Sequence, residues 1–339
     1  MKDFSKKLLY ASGLLGLYHR LRNAGSLTVV MFHRTLSPED PRWRTCDPDY
    51  TLSIAHLSES LAFFKRHYNV VSLQQVLEAH RTGAALPPHA LLITFDDGWS
   101  DNADYALPEL QRAGLPGLMF VVADAVGTQQ PFFQERLISA WRRGLLRVDE
   151  LARAMAPALA EAWTPQDESM GSLRNAIARL EKIDAGRRDE ILAPYLQALD
   201  DGLRHMVDVG ELRKLQAGGV ALGLHGKTHT PMTRAADVDA ELGGARTELA
   251  RHLGQPLPNA ESMSFPHGAH TPEIAERARQ AGYELVFTSV PVLNPVAPKP
   301  GWLLGRTGFE TDTVVDAKGR FRPDWLALYL FRRQSRRLA

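Results

Sequence analysis

Asp96 and Asp97 stand side by side at the end of an apolar run, in the stretch LLITFDDG that covers residues 91–98. Two adjacent negative charges repel, and neither helix nor strand packing asks for them. A carboxylate beside a divalent cation stays ionised and ligates it, while a second can take a proton from water. Gly98 then permits a sharp exit from the run. The plain alternative is a helix cap, a common use of aspartate at a strand-to-helix turn.

A second candidate is His225-Gly226-Lys227-Thr228-His229, which follows the apolar run VALGL. Two imidazoles four residues apart can grip one cation. In a chain with 12 histidines such a pair also arises by chance, so its weight comes from its position after a strand. The glutamate of an HExxH helix is absent, which excludes a zincin. A third candidate is Ser264-Phe265-Pro266-His267-Gly268. A strand running into Pro-x-Gly makes a tight turn that can present a backbone N–H to an oxyanion, although an ordinary turn reads the same. His33 ends another apolar run, LTVVMFH.

The elements around these residues alternate. Apolar strand-like runs occur at LTVVMF, ALLITF, PGLMFVVA, VALGL, SMSFP and ELVFTS, with amphipathic helical segments between them. Such alternation implies a mostly parallel sheet, whose chemistry gathers at the C-terminal strand ends. Every candidate lies there. From 130 to about 205 the texture is rich in Ala, Leu, Arg and Glu at helical spacing, which reads as an inserted helical subdomain. It is a lid, a substrate wall, or simply scaffold or an oligomer contact.

The order of the motifs resembles the polysaccharide deacetylase family, the NodB-homology carbohydrate esterases. Thr94-Phe95-Asp96-Asp97-Gly98 matches that family's first motif, His225 to His229 its H-x-x-x-H motif, and SFPHG stands where R-x-P-Y-G belongs. VVMFHRT, FVVADAVG and FTSVPVLNP give supporting matches. The resemblance implies an α/β fold, a distorted (β/α) barrel of about seven strands with the helical insertion. The expected organisation is an N-terminal amphipathic helix (1–26), a first barrel part (27–129), the insertion (130–205), a second barrel part (206–312) and a basic amphipathic tail (313–339). The resemblance also implies a divalent metal, usually zinc, held by Asp97, His225 and His229. Asp96 is then the general base toward the hydrolytic water, and the backbone N–H of His267 faces the oxyanion.

Two departures from the family pattern stand out. The arginine that usually tunes the base aspartate falls at Ser264, and Arg306 is the expected substitute. The late Leu-x-His motif, source of the general acid, is replaced by Leu304-Gly305-Arg306. His267, His270 and His33 are the candidates to protonate the leaving amine. Trp99 reads equally as a groove wall or as core, and Asp101 and Asn102 as loop supports.

The 339 residues are 44% hydrophobic, enough for a large core, and 40 Lys+Arg against 39 Asp+Glu give no global field for nucleic acid. One cysteine, Cys46, makes no internal disulfide. No apolar run is long enough to span a bilayer. Lys6-Lys7 before LLYASGLLGLY loosely imitates a secretion signal, but basic residues follow the apolar stretch and no A-x-A site appears. An uncleaved helix over 3–22 and a cytoplasmic protein are expected, with a cleaved signal as the alternative. The tail WLALYLFRRQSRRLA is apolar and then basic, which fits either a helix docked on the barrel or contact with an anionic inner membrane face.

The expected activity is metal-dependent removal of the N-acetyl group from an amino sugar in a bacterial surface polysaccharide or its lipid-linked precursor. Alternatives are an O-deacetylase or deformylase of a lipid-linked sugar, and, of another class, an inactive glycan-binding barrel. The expected partner is a carbohydrate, with peripheral membrane contact through the termini.

Overall fold

The computed structural model describes residues 3–159, 161–255 and 261–339. Apolar runs become strands that are buried on both faces, as parallel sheets require. In chain order they are β1 Ser26–Phe32, β2 Ala90–Phe95, β3 Gly117–Val121, β4 Val220–Leu224, β5 Ser262–Ser264, β6 Leu285–Thr288 and β7 Leu303–Gly305. Each pairs in parallel with the next, from Leu27↔Ala90 at one end to Leu303↔Val286 at the other. Just past β7, Thr307–Gly308 crosses to pair in parallel with β1 through Val30↔Thr307. Asn294–Pro295 adds an antiparallel pairing to β1, and Asn69–Val70 a parallel one to β2. The sheet is therefore a nearly closed barrel, as expected for this α/β chain.

Alternate strand residues separate two apolar layers. Leu27, Val29, Leu92, Leu118, Phe120, Leu285 and Phe287 share one cluster with the helix Leu73–Thr82. Val30, Phe32, Ile93, Phe95 and Met119 share the other with Leu61 and Phe64 of the helix Ile54–His67. Gly223 faces the first layer. A Cβ there would lie 2.7 Å from a Phe120 ring carbon, so the ring occupies the space a side chain would need.

The chain divides into two compact units. One holds the described residues up to Leu36, with Asp49–Thr128 and those from Met206 onward. The other holds Ser37–Pro48 and the described residues of Gln129–His205. It is built from the helices Phe133–Arg142, Val148–Met155, Met170–Leu180 and Ala185–Leu192, around their own core of Leu137, Leu151, Leu173 and Leu180. Segment 37–48, read from sequence as a loop of the first barrel part, joins this unit. Its buried Asp47 pairs with Arg174 at 2.6 Å.

The N-terminal segment departs from the single helix expected over 3–22, while the tail takes the docked-helix alternative. Ser12-Gly13 divides the segment into Asp3–Ala11 and Leu14–Arg22, because Gly13 takes a left-handed φ of 78°. In the tail, the helix Pro323–Phe331 buries Leu326, Ala327, Leu330 and Phe331 in the barrel unit's core. Arg337 beyond it donates to the Lys299 carbonyl at 2.7 Å. The tail's apolar side is thus taken up by the protein itself. No described helix is long and apolar enough to cross a membrane.

Candidate active site

The barrel geometry delivers the candidates to one rim. Asp96 follows β2 and still donates its N–H to Phe32 O at 2.9 Å, and His225 follows β4 and donates to Val121 O at 2.8 Å. The SFPHG turn follows β5, Arg306 follows β7, and His33 follows β1. Three of these residues take a left-handed backbone that side chains other than glycine rarely adopt: Asp97 (φ 77°), His229 (φ 68°) and His267 (φ 56°). Among the described non-glycine residues only His89 joins them. Strain is thus concentrated where the motifs leave the sheet. Gly98 continues the turn at φ 82°, with Val121 and Val207 close to where its Cβ would be.

Asp97, His225 and His229 converge. Their ligand atoms lie within 4.8 Å of one another. Oδ1 of Asp97 is 3.4 Å from Nε2 of His225 and 3.2 Å from Nε2 of His229. The Nδ1 of His225 lies 2.9 Å from the Ser264 carbonyl oxygen, which can only accept, so Nδ1 carries a hydrogen and Nε2 is the nitrogen turned toward Asp97. The Ser264 hydroxyl stands 2.6 Å from the same nitrogen. Trp99 is buried and donates Nε1–H to the second oxygen of Asp97 at 3.0 Å, which leaves Oδ1 toward the histidines. Two imidazole nitrogens and an oriented carboxylate are a donor set that suits zinc and similar divalent ions.

Asp96 is buried at 2% exposure beside this cluster, with Oδ2 3.8 Å from Nε2 of His225. Arg306, fully buried, grips it in a fork: Nη1 to Oδ1 at 2.6 Å and Nη2 to Oδ2 at 2.8 Å. The guanidinium is itself fixed by the Thr288 carbonyl, the Thr94 hydroxyl and the face of Phe120. Burial alone would raise the Asp96 pKa. The Arg306 charge and then that of His225 outweigh it and hold the carboxyl below its ordinary value. Asp97 is likewise opposed by burial and held well below the ordinary range, first by His229 and then by hydrogen bonds from both histidines. Burial works to lower the His225 pKa, but the two aspartates raise it.

The remaining candidates divide. The His267 ring lies 4.5 Å from that of His229, at the edge of the cluster. Desolvation and then the neighbouring His229 lower its pKa to about 3. Nδ1 of His33 is buried without a hydrogen-bond partner among the described residues, and its ring meets Tyr50 edge-on at 5.2 Å. His270 is tied back to the Gly268 carbonyl and stacked on Phe265, which leaves it less suited to proton donation.

Further groups hold the site's loops: Asp101 and Asn102 were expected from sequence, whereas Glu241 and Arg34 were not. Glu241 accepts from the N–H groups of Lys227 and Thr228 and from the Thr228 hydroxyl, and so fixes the turn between the two histidines. The buried Arg34–Asp101 pair, 2.8 Å apart, sits behind Trp99, with the guanidinium 4.4 Å from the indole ring. Asn102 donates to the His33 carbonyl from a π-helical turn, Asn102–Ala106.

The family model described as polysaccharide deacetylase matches residues 83–163 and 176–286, more than half of the chain. The chain belongs to the polysaccharide deacetylase family. These are hydrolases acting on carbon–nitrogen bonds. The matched ranges contain Asp96, Asp97, His225, His229 and His267, whereas His33 and Arg306 lie outside them. A curated relative, the poly-beta-1,6-N-acetyl-D-glucosamine N-deacetylase of Escherichia coli K12, is 33% identical over 157 residues, which cover 42% of this chain and 23% of that protein. The match thus spans about a quarter of the relative's length. Among solved structures, IcaB from Ammonifex degensii superposes with a TM-score of 0.56 at 18% identity over 91% of this chain and 97% of that one. The Streptococcus pyogenes deacetylase PplD gives 0.55 at 12% identity over 90% and 98%. At these identities the two structures speak for the fold.

Proposed function

We propose that this polysaccharide deacetylase family member is a metal-dependent N-deacetylase. Its substrate is an N-acetylated amino sugar in a bacterial surface polysaccharide or in its lipid-linked precursor. The observation that carries this is the pairing of a two-histidine, one-carboxylate cluster with a second carboxylate kept ionised by Arg306. Asp97, His225 and His229 would hold the ion, zinc in the first instance. Bound there, a divalent ion supplies Lewis acidity toward water and toward the acyl oxygen.

The chain's own groups do the rest. Asp96 accepts the proton of the attacking water, and Arg306 holds its carboxylate in one orientation. The backbone N–H of His267 offers a hydrogen bond to the developing oxyanion. His33 and His267 are the candidates to protonate the departing amine, and the lowered pKa of His267 makes it the weaker of the two. An O-deacetylase or deformylase is a second reading. The O-deacetylase alone is favoured by one observation, that Arg306 stands where the family's late histidine is expected and is committed to Asp96. An ester leaves without strong protonation. Work on a lipid-linked precursor would place the chain at the inner membrane face.

The test is acetate release from N-acetylglucosamine oligomers, β-1,6-linked ones first because of the E. coli relative. The metal-loaded chain is expected to release acetate, and Asp96→Asn to lose at least about 100-fold of that rate. Equal rates in the two proteins would refute the role of Asp96. Silence of the metal-loaded chain on every N- and O-acetylated glycan, with glycan binding retained, would favour an inactive binding barrel.

A further inference from the structure

The large hydrophobic side chains exposed among the described residues are concentrated in one place. Phe4, Leu8, Leu14, Leu17, Tyr18 and Leu21 all belong to the two N-terminal helices, with only Tyr50, Leu145 and Leu196 elsewhere. Phe4 is 76% and Leu21 78% exposed. Positions 14, 17, 18 and 21 have the i, i+3, i+4, i+7 spacing of one helix face. An amphipathic helix normally turns such a face inward. The helix Leu14–Arg22 turns it outward.

The orientation is fixed from the other side. Leu15 is buried at 5% exposure and His19 at 1%. The His19 ring stacks on Phe331 at 4.2 Å, and its nitrogens meet the Asn23 amide at 2.9 Å and the His67 carbonyl at 3.1 Å. Rotating the helix to bury Leu17 and Leu21 would break these bonds and expose His19. The helix is thus anchored by one flank while its broad apolar stripe stays open. A contiguous apolar face on a protein surface marks an interaction site.

The charges around the face identify the occupant. Residues 3–22 contain Lys6, Lys7, Arg20 and Arg22, and Asp3 is the only acid. Asp3 is engaged by Arg322 at 2.7 Å. Arg22 is committed to the Phe331 and Arg333 carbonyls. Lys7, 3.9 Å from Asp3, and Arg20 are exposed. Beside the first helix lies a groove of about 420 Å³ in which Lys6 and Arg332 flank Trp325 and Tyr329. Apolar side chains bordered by cations, with aromatic rings at the margin, match the interface of an anionic bilayer.

We propose that the N-terminal helix pair is a peripheral docking face for anionic membrane. Phe4, Leu8, Leu14, Leu17, Tyr18 and Leu21 enter the acyl boundary. Lys7 and Arg20 lie at the headgroups, and the Lys6–Arg332 groove takes a lipid phosphate. Nothing in this proposal depends on the reaction at Asp96.

The test is co-sedimentation of the full chain with vesicles of phosphatidylcholine alone and of phosphatidylcholine mixed with phosphatidylglycerol. The wild type is expected to pellet with the anionic vesicles, and less so as salt is added. The double variant Leu17→Glu/Leu21→Glu should bind at least about tenfold more weakly. Its melting temperature and its turnover of a soluble oligomer should match the wild type. Lys7→Glu/Arg20→Glu should lose the preference for anionic lipid. Wild-type protein that stays in solution with both vesicles would overturn the proposal, as would a Leu17→Glu/Leu21→Glu variant that pellets like wild type. A wild-type dimer that ignores vesicles and is dissociated by that variant would assign the face to a second copy instead.

Discussion

Asp96 is a buried carboxylate whose state depends on one guanidinium. The Arg306 fork supplies two charge-assisted hydrogen bonds in a dry site, so removing it leaves an uncompensated buried charge. Arg306→Met should therefore destabilise the fold by roughly 3–5 kcal/mol, read by urea denaturation at neutral pH. Because the folded Asp96 pKa is depressed, its stabilisation is present above the unfolded value near 3.8 and is lost as pH falls through the folded value. In Arg306→Met that contribution should vanish, and in the double variant with Asp96→Asn much of the stability should return. A cycle in which the two losses simply add would show that the pair is not coupled. Asp96, Asp97, His225 and His229 were legible from sequence because each pair is local and sits after an apolar run. Arg306 was legible only as a substitute for a missing arginine. The contacts of Trp99 with Asp97, Ser264 with His225 and Glu241 with its turn were not. Two of them join distant segments, and most run to backbone groups or neutral side chains that carry no pattern of their own.

At the scale of elements, the site rests on turns that force residues into left-handed backbone. Gly98→Ala would impose that conformation on a side chain and should cost about 1–2 kcal/mol, measured as a lowered unfolding midpoint. An unchanged midpoint would mean that the turn relaxes. The helix Leu14–Arg22 carries a different signature. Burial, and next the neighbouring His89, lower the His19 pKa from 6.5 to about 3, and burial lowers that of His67 to about 4. The folded state refuses a proton that the unfolded chain accepts, so stability is lost as pH falls from about 6.5 toward 3. The loss should be on the order of 3 kcal/mol, and His19→Gln, less stable at neutral pH, should show a shallower acid slope in thermal melts. Parallel slopes would contradict the assignment to His19. The strands were readable because they are short apolar runs bounded by turns. The division of the first helix was not, since Gly13 interrupts an apolar pattern that continues on both sides.

At the scale of the molecule, two units with separate cores share one chain, and the texture of the sequence also changes near residue 130. The membership of 37–48 in that unit was hidden, because the contacts that join it, of Asp47 with Arg174 and Glu135 and of Arg142 with the Trp43 carbonyl, link residues far apart in sequence. The barrel unit has the candidate metal cluster, and an ion that binds only the folded chain stabilises it by mass action. Chelation should therefore lower the melting temperature, with about 2.7 kcal/mol at stake when free metal is 100 times its Kd, and zinc should restore it. Asp97→Ala should melt at the same temperature with and without chelator. The most direct measurement is the metal content of the purified full chain and of His225→Ala, by elemental mass spectrometry after reconstitution and desalting. About one divalent ion per chain in the wild type, lost in His225→Ala, is the expected result. A wild-type chain that retains no divalent ion, or a His225→Ala chain that retains as much as wild type, would contradict a metal site built on Asp97, His225 and His229.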